Sequence, residues 1–217
     1  MAERRFPLLP VLAVLIVAAG AFAGWMAVPR RIAFHGTTYD PVAPVDDFRL
    51  TDQDGRAVSL ASFRGRPLLV FFGYTRCADF CPQTLGRLSR AVHSLGEDAG
   101  DARIVLVTVD PAHDTPAVLK RYVARFGPQV SALTGDSASL AAVWHAYGAY
   151  VAPKPAEPAM AMPHEHHPAP APPAVPAQLI HSGVVYGIDR RGNLQVVISD
   201  GATEDETRDD IRTLAGL

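Results

Sequence analysis

The chain has 217 residues, 48% of them hydrophobic, and a formal net charge of −2 at pH 7. This length suits one globular domain with appended segments, and the hydrophobic fraction is sufficient for a buried core. Nucleic-acid binding is not expected, because phosphate contacts need a basic face and the sequence contains no long basic run.

The N-terminal segment, residues 1–31, predicts contact with a membrane. Arg4 and Arg5 are followed by a stretch without charge from Phe6 to Pro29, and about 20 apolar residues span a bilayer as a helix. The early arginines favour a cytoplasmic N-terminus, although the basic pair that closes the segment weakens this inference. We favour a retained single-pass anchor over a signal peptide cleaved near residues 21–23. Either places the remaining chain on the exported side of the cell membrane.

The elements that follow alternate between strands and helices. Residues 32–45 are predicted to be a tether, and "DDFRLTDQDGRAVSL" predicts a hairpin that turns at Asp54-Gly55. "RPLLVFFGYT" and "ARIVLVTVD" are continuous apolar runs, typical of strands buried on both faces. A helix is predicted after each, the first with Pro82 in its first turn.

The C-terminal half continues the pattern. "SALTGD" predicts a short strand, "SASLAAVWHAYGAY" a helix, "LIHSGVVYGIDRRGNLQVVIS" two strands around a turn at Gly192-Asn193, and "ATEDETRDDIRTLAGL" a closing helix. This order predicts an α/β fold for residues 46–217, a three-layer sandwich with a mixed sheet. A proline- and alanine-rich insert at residues 152–177 interrupts it and cannot pack a core.

The two cysteines, Cys77 and Cys81, follow the first buried strand and are four residues apart. Residues at this spacing on helical backbone face the same way, and a helix N-terminus stabilises a thiolate. A structural disulfide is disfavoured because it would close too small a loop to add much stability. In an exported protein the pair therefore indicates either disulfide exchange or binding of a soft metal, and the spacing alone leaves both open.

A third ligand would favour the metal, and His181 is the candidate. It lies beside the strand that follows the insert, and this strand can enter the sheet next to the cysteine turn. A lone histidine at a strand edge is more often an ordinary polar residue, so both interpretations stay open. Two thiolates and one imidazole form a donor set that copper accepts in both oxidation states. Zinc is the competitor, but structural zinc usually has four protein ligands.

Four segments, "VFFGYTRCADFCPQTL", "VTVDPAHDTPAVLKRYVARFG", "ALTG" and "HSGVVYGIDRRGNL", resemble in sequence and order the Sco/SenC family of copper-binding, thioredoxin-like assembly factors for cytochrome c oxidase. The resemblance covers roughly residues 34–214. It implies a thioredoxin-like fold, a membrane anchor, and Cys77, Cys81 and His181 as copper ligands. It also implies a copper-receiving oxidase subunit as a partner, together with a copper donor chaperone.

Two further regions have alternative interpretations. Asp114 is well placed to cap the helix that begins near Pro116, while the family resemblance implies a position near the metal loop, as a second-shell residue. Asp110 is predicted to be a turn residue at the strand end. The insert contains thioether and imidazole groups that copper accepts, so it is either a tract of accessory copper donors or a loop with incidental histidines. These side chains are Met160, Met162, His164, His166 and His167.

The sequence thus predicts an exported, membrane-tethered copper metallochaperone that performs no turnover chemistry and is not an enzyme. The alternative is a thioredoxin-like thiol–disulfide oxidoreductase that reduces exported cysteines, with Cys77 and Cys81 as its redox pair. Both functions could share one site, because copper binding requires the reduced dithiol. Peroxide reduction by the same pair has no further feature in its favour.

Overall fold

A computed structural model describes residues 14, 16–20, 33–45, 47–149, 151–153, 179–181 and 183–217. The chain divides into two compact units, Met1–Ala33 and Phe34–Leu217. In the first unit residues 14 and 16–20 are helical. Within the described ranges, no helix combines the length and the apolar character that a membrane span requires. The anchor predicted at residues 1–31 lies largely outside these ranges.

The second unit contains ten strands and four α-helices among its described residues. The strands are β1 Thr37–Pro44, β2 Arg49–Asp52, β3 Ala57–Ser59, β4 Leu68–Gly73, β5 Arg103–Thr108, β6 Val130–Thr134, β7 Val151–Pro153, β8 Leu179–His181, β9 Val185–Ile188 and β10 Asn193–Ile198. The helices are α1 Phe80–Leu95, α2 Pro116–Val123, α3 Ser137–Ala146 and α4 Glu204–Ala215, and the segments Leu60–Phe63 and Gly96–Ala99 form 3₁₀ turns.

Eight strands form one mixed sheet in the order β1-β10-β9-β4-β5-β6-β2-β3. β4, β5 and β6 are parallel neighbours, and the other pairs are antiparallel. Every residue of β4 is buried, as expected for a continuous apolar run covered on both faces. The predicted mixed sheet is therefore confirmed.

Helices cover both faces of this sheet. Phe71 of β4 packs against Phe80 of α1, with ring centroids 6.0 Å apart. The next residue, Phe72, packs against Tyr147 just after α3, at 5.4 Å. Successive residues of a strand point to opposite faces, so α1 and α3 lie on opposite sides of the sheet. The three layers predicted from the sequence are present, and α4 packs beside α1.

The sheet extends further toward the N-terminus than the sequence pattern indicates. Residues 37–44, within the predicted tether, form the edge strand β1 and pair with β10. The preceding turn is held by buried Asp210 of α4, which accepts hydrogen bonds from the main-chain N–H groups of His35 and Gly36 at 2.6 and 3.1 Å. Main-chain pairing with a neighbour makes this segment a strand, and such pairing leaves little trace in hydrophobic periodicity.

The ends of the predicted insert also pair with each other. β7 and β8 form a separate two-stranded antiparallel sheet in which Val151 lies opposite His181. The region predicted to contain two strands around residues 192–193 therefore contains three, β8, β9 and β10. The predicted accessory donors between residues 160 and 167 lie outside the described residues.

Candidate metal centre

The two cysteines lie where the chain leaves the centre of the sheet. β4 ends at Gly73, and α1 begins at Phe80. Cys77 is in the connecting loop and partly exposed, whereas Cys81 is in the first turn of α1 and fully buried. The main-chain N–H of Cys81 donates to Cys77 Sγ at 3.3 Å. No disulfide joins the two cysteines. The start of α1 thus directs a main-chain donor at the outer sulfur.

The inner sulfur has a different environment. Burial raises the pKa of the Cys81 thiol well above its ordinary value, and the Cys77 side chain raises it further. The sulfur packs against the end of β4, where a Cβ on Gly73 would lie 3.0 Å from Cys81 Sγ and 2.7 Å from Phe71 Cε1. A glycine at position 73 therefore leaves the space that the buried sulfur occupies.

Asp114 joins the cysteine loop to the loop after β5. Its buried carboxylate accepts hydrogen bonds from Thr75 Oγ1 at 2.5 Å, from the Thr75 main-chain N–H at 3.2 Å and from Thr108 Oγ1 at 2.6 Å. The expectation that Asp114 caps the next helix is wrong. Thr115 is the N-cap of α2, and its hydroxyl accepts the Val118 N–H. Asp114 lies one residue too early for that role, and its carboxylate is directed toward the cysteine loop instead.

A second link between these loops was missed at the sequence level. Arg76, which precedes Cys77, donates through Nε and Nη2 to Asp110 Oδ2 at 3.0 and 2.7 Å. His113 Nδ1 lies 2.9 Å from Asp110 Oδ1. Burial opposes ionisation, but the contacts with His113 and Arg76 hold the pKa of Asp110 below its ordinary value. The sequence does contain a signal for this link, the pair of acids Asp110 and Asp114 directly after β5. This strand is the parallel neighbour of β4, which leads into the loop with Cys77.

His181 is the last residue of β8. The chain that follows it approaches α1: a Cβ on Gly183 would lie 2.8 Å from Phe80 Cζ. Val185, at the start of β9, pairs with Phe71 of β4. Four residues span at most about 14 Å, so His181 lies within that distance of Val185 along the backbone. The segment after His181 therefore adjoins α1, the helix that carries Cys81. The role of His181 as a ligand stays a prediction.

The described ranges contain no cluster of three or more histidine, cysteine, aspartate or glutamate side chains that could hold a metal. Cys77 and Cys81 are the predicted ligands that the structure brings together. Asp114 adjoins them through Thr75, two residues before Cys77.

A three-layer α/β sandwich with one thiol in the loop after a central parallel strand and a second in the first turn of the following helix defines a thioredoxin-like dithiol protein. The SCO1/SenC family model matches residues 37–216, and the chain therefore belongs to this family. Similar solved structures agree on the fold. *Bradyrhizobium japonicum* ScoI with copper bound is 32% identical with a TM-score of 0.65, covering 79% of this chain and 99% of that one. *Arabidopsis thaliana* ScoI with copper bound is 26% identical with a TM-score of 0.67, covering 78% and 96%.

Curated relatives match a shorter region. The human mitochondrial SCO2 homolog is 40% identical over 106 residues, which is 48% of this chain and 40% of the relative. A SCO2-like protein of *Rickettsia felis* is 37% identical over 97 residues, 45% of this chain and 47% of the relative. The matched region thus spans less than half the length of these relatives.

Proposed function

We propose that this protein is a copper metallochaperone, which carries copper as its cargo on Cys77, Cys81 and His181 for copper-centre assembly in cytochrome c oxidase. The observation that carries the proposal is the placement of the two thiols. One is partly exposed and the other buried, and they are linked by the 3.3 Å contact between Cys81 N–H and Cys77 Sγ.

The chemistry of this donor set fits copper. Thiolates are soft ligands that suit Cu(I), and an imidazole suits both copper oxidation states. Cys81 is a buried thiol whose pKa is raised, chiefly by burial, so a positive charge beside its sulfur favours loss of the proton. A bound cation supplies that charge. Metal binding at this site therefore releases protons and becomes stronger as pH rises.

Similar proteins support the choice of metal, because the Bradyrhizobium and Arabidopsis ScoI structures contain copper. The partners in this proposal are a copper-receiving oxidase subunit, which follows from membership of the family, and a copper donor chaperone that loads the site. The uncharged stretch between Phe6 and Pro29 supports a single-pass membrane anchor, with the domain on the exported side. Delivery of a cargo ion requires no turnover, so the protein is a carrier and not an enzyme.

Metal analysis of the reduced, full chain in detergent tests this function. We expect one tightly bound copper at the site and a sulfur-to-copper charge-transfer band in the Cu(II) form. Cys77→Ser and Cys81→Ser should abolish the band, and His181→Ala should shift it and weaken binding. His93→Ala is a matched control, because His93 is exposed in the last turn of α1, about 18 Å along the helix from Cys81.

Two outcomes would contradict the proposal. Absence of tight copper binding by the wild-type chain would remove the function. An unchanged Cu(II) spectrum and affinity in His181→Ala would remove the histidine from the ligand set while leaving the thiols in place.

The accessory role of the insert is a separate proposal. Met160, Met162 and the three histidines at positions 164, 166 and 167 would capture copper and pass it to the dithiol. Deleting residues 158–168 should lower copper stoichiometry or slow transfer while the domain still folds. Unaltered metal content and transfer kinetics would indicate a loop without a copper role.

The second candidate is a thiol–disulfide oxidoreductase. The unequal exposure of the two cysteines favours it, because an exposed thiol can attack a partner while a buried one resolves the mixed disulfide. Rapid reduction of an oxidised model peptide by the copper-free protein, at rates like those of a dedicated reductase, would favour this function over copper carriage.

A further inference from the structure

Phe80 connects two parts of the predicted copper site that are far apart in the chain. It directly precedes Cys81 and lies three residues after Cys77. Its ring lies against the backbone of Gly183, where an added Cβ would be 2.8 Å from Cζ and 3.4 Å from Cε1. Gly183 lies two residues after His181. Because two residues span at most about 7 Å, the ring contact is close to His181 along the backbone.

Gly183 is enclosed on two sides by groups that belong to α1 or are fastened to it. On one side is the Phe80 ring, and on the other an added Cβ would be 3.5 Å from Asp200 Cβ. The turn that contains Asp200 is tied to α1, because Arg87 Nη1 donates to the carbonyls of Asp200 and Ala202 at 2.6 Å each. The segment after His181 therefore follows the position of α1.

The Phe80 ring is itself supported by the central sheet. It packs against Phe71 of β4, with ring centroids 6.0 Å apart, and Phe71 is the register partner of Val185 in β9. The segment is thus held at two nearby points, by the ring at Gly183 and by β4 at Val185. Glycine has more backbone freedom than any other residue, so at position 183 the order of the chain depends on what packs against it.

We propose that Phe80 is a positioning residue, which holds the chain segment that follows His181 beside the dithiol. The consequence for copper rests on the proposed function, whereas the support of the segment does not. A segment that is already held beside the thiols loses less conformational freedom when His181 binds the metal, and such preorganisation raises affinity.

The support of the segment is tested without metal, in the reduced full chain in detergent. NMR relaxation should give the Gly183 amide an order parameter near about 0.85 in the wild type, the value of rigid backbone. Phe80→Ala should lower it toward about 0.6, the value of flexible backbone. This variant should still fold, because the ring is only partly buried and lines an open cleft of about 530 Å³ beside Asp200.

Copper affinity tests what the position of the segment does. In Phe80→Ala we expect the affinity for Cu(II) to fall about tenfold, because ordering the backbone of one freed residue on binding costs about that factor. The affinity for Cu(I) should stay within about threefold of the wild type, since two soft thiolates suit Cu(I) without the imidazole. A general loss of structure would weaken both affinities equally.

Gly183→Ala tests the same contact from the other side. Its new Cβ would overlap the Phe80 ring at 2.8 Å, so the segment should be displaced and the affinity for Cu(II) should fall. Removal of the ring makes room for that Cβ. In the double variant with Phe80→Ala, we therefore expect Gly183→Ala to add no further loss, as for two residues that act through one contact.

Phe126→Ala is the matched control. This ring is also partly buried, but it packs against Tyr122 of α2, and the Phe126 carbonyl accepts from Ser89, about 12 Å along α1 from Cys81. The order parameter of the Gly183 amide and both copper affinities should keep their wild-type values in this variant.

Four results would overturn the proposal. They are an unchanged order parameter in Phe80→Ala, an unchanged Cu(II) affinity in that variant, equal weakening of Cu(I) and Cu(II), and a full additional loss from Gly183→Ala in the double variant. If the wild-type chain bound no copper, the proposed function would fail, and the metal-free order parameters would still decide whether Phe80 holds the segment.

Discussion

Replacing Asp114 with alanine tests how strongly the link between the two loops around the dithiol stabilises the domain. The carboxylate receives three donors, the Thr75 N–H, the Thr75 hydroxyl and the Thr108 hydroxyl, at 3.2, 2.5 and 2.6 Å. After the truncation both hydroxyls can rotate toward other acceptors, but the main-chain N–H cannot. An orphaned buried donor costs about 1–3 kcal/mol.

Two other contributions to the change in the free energy of unfolding, lost hydrogen bonds and relieved desolvation, partly offset each other. The native state loses hydrogen bonds to a charged acceptor, each contributing about 1.5–3 kcal/mol, but it no longer desolvates a buried carboxylate, which costs several kcal/mol. We therefore expect Asp114→Ala to lower the free energy of unfolding by about 2–4 kcal/mol.

Urea unfolding of the full chain in detergent, followed by circular dichroism, measures this difference. Asp54→Ala is the control, because Asp54 pairs with Lys120 and Arg56 at the surface, where such pairs contribute at most about 1 kcal/mol. If Asp114→Ala costs no more than Asp54→Ala, the three hydrogen bonds do not hold the loops together, and the reasoning from burial fails.

Two further predictions concern the glycine beneath the buried sulfur and a buried turn. Gly73→Ala should lower the free energy of unfolding by about 1–3 kcal/mol, because the new Cβ would lie 2.7 Å from Phe71 Cε1 and 3.0 Å from Cys81 Sγ. Urea unfolding measures this loss. In the control Gly201→Ala the new Cβ meets open space, and an equal loss of stability there would contradict the steric explanation. Burial would raise the pKa of Asp189, but its hydrogen bonds hold it below the ordinary value, so the carboxylate stabilises the fold above the unfolded-state pKa of about 3.9. Asp189→Asn should therefore cost about 1–3 kcal/mol at pH 7, and the difference from wild type should shrink as pH falls below about 4; a difference independent of pH would refute it.

Local patterns in the sequence were sufficient to predict most of the regular elements. The apolar run around Phe71 predicts a strand buried on both faces, and the strand is buried along its whole length. Pro82 lies in the first turn of α1 as predicted. These elements can be predicted because hydrophobic periodicity, and the residues that favour helix ends, depend only on short stretches of sequence.

Other features depended on contacts between distant segments. β1 is a strand because it pairs with β10, and its own residues, which include two prolines, show no strand pattern. The same holds for the paired ends of the insert, which bring Val151 opposite His181. Pairing partners far apart in the chain have no local signature, so the sequence pattern indicated a tether and a break at these places.

By itself, the sequence determined that two thiols stand four residues apart at the start of a helix after the central strand, because strand, turn and helix signals are all local. Only the tertiary structure decided the surroundings of those thiols. Thr75 and Asp114 are 39 residues apart, and they meet because β4 and β5 are parallel neighbours whose carboxyl ends lie together. The unequal burial of Cys77 and Cys81 follows from the packing of α1 against the sheet.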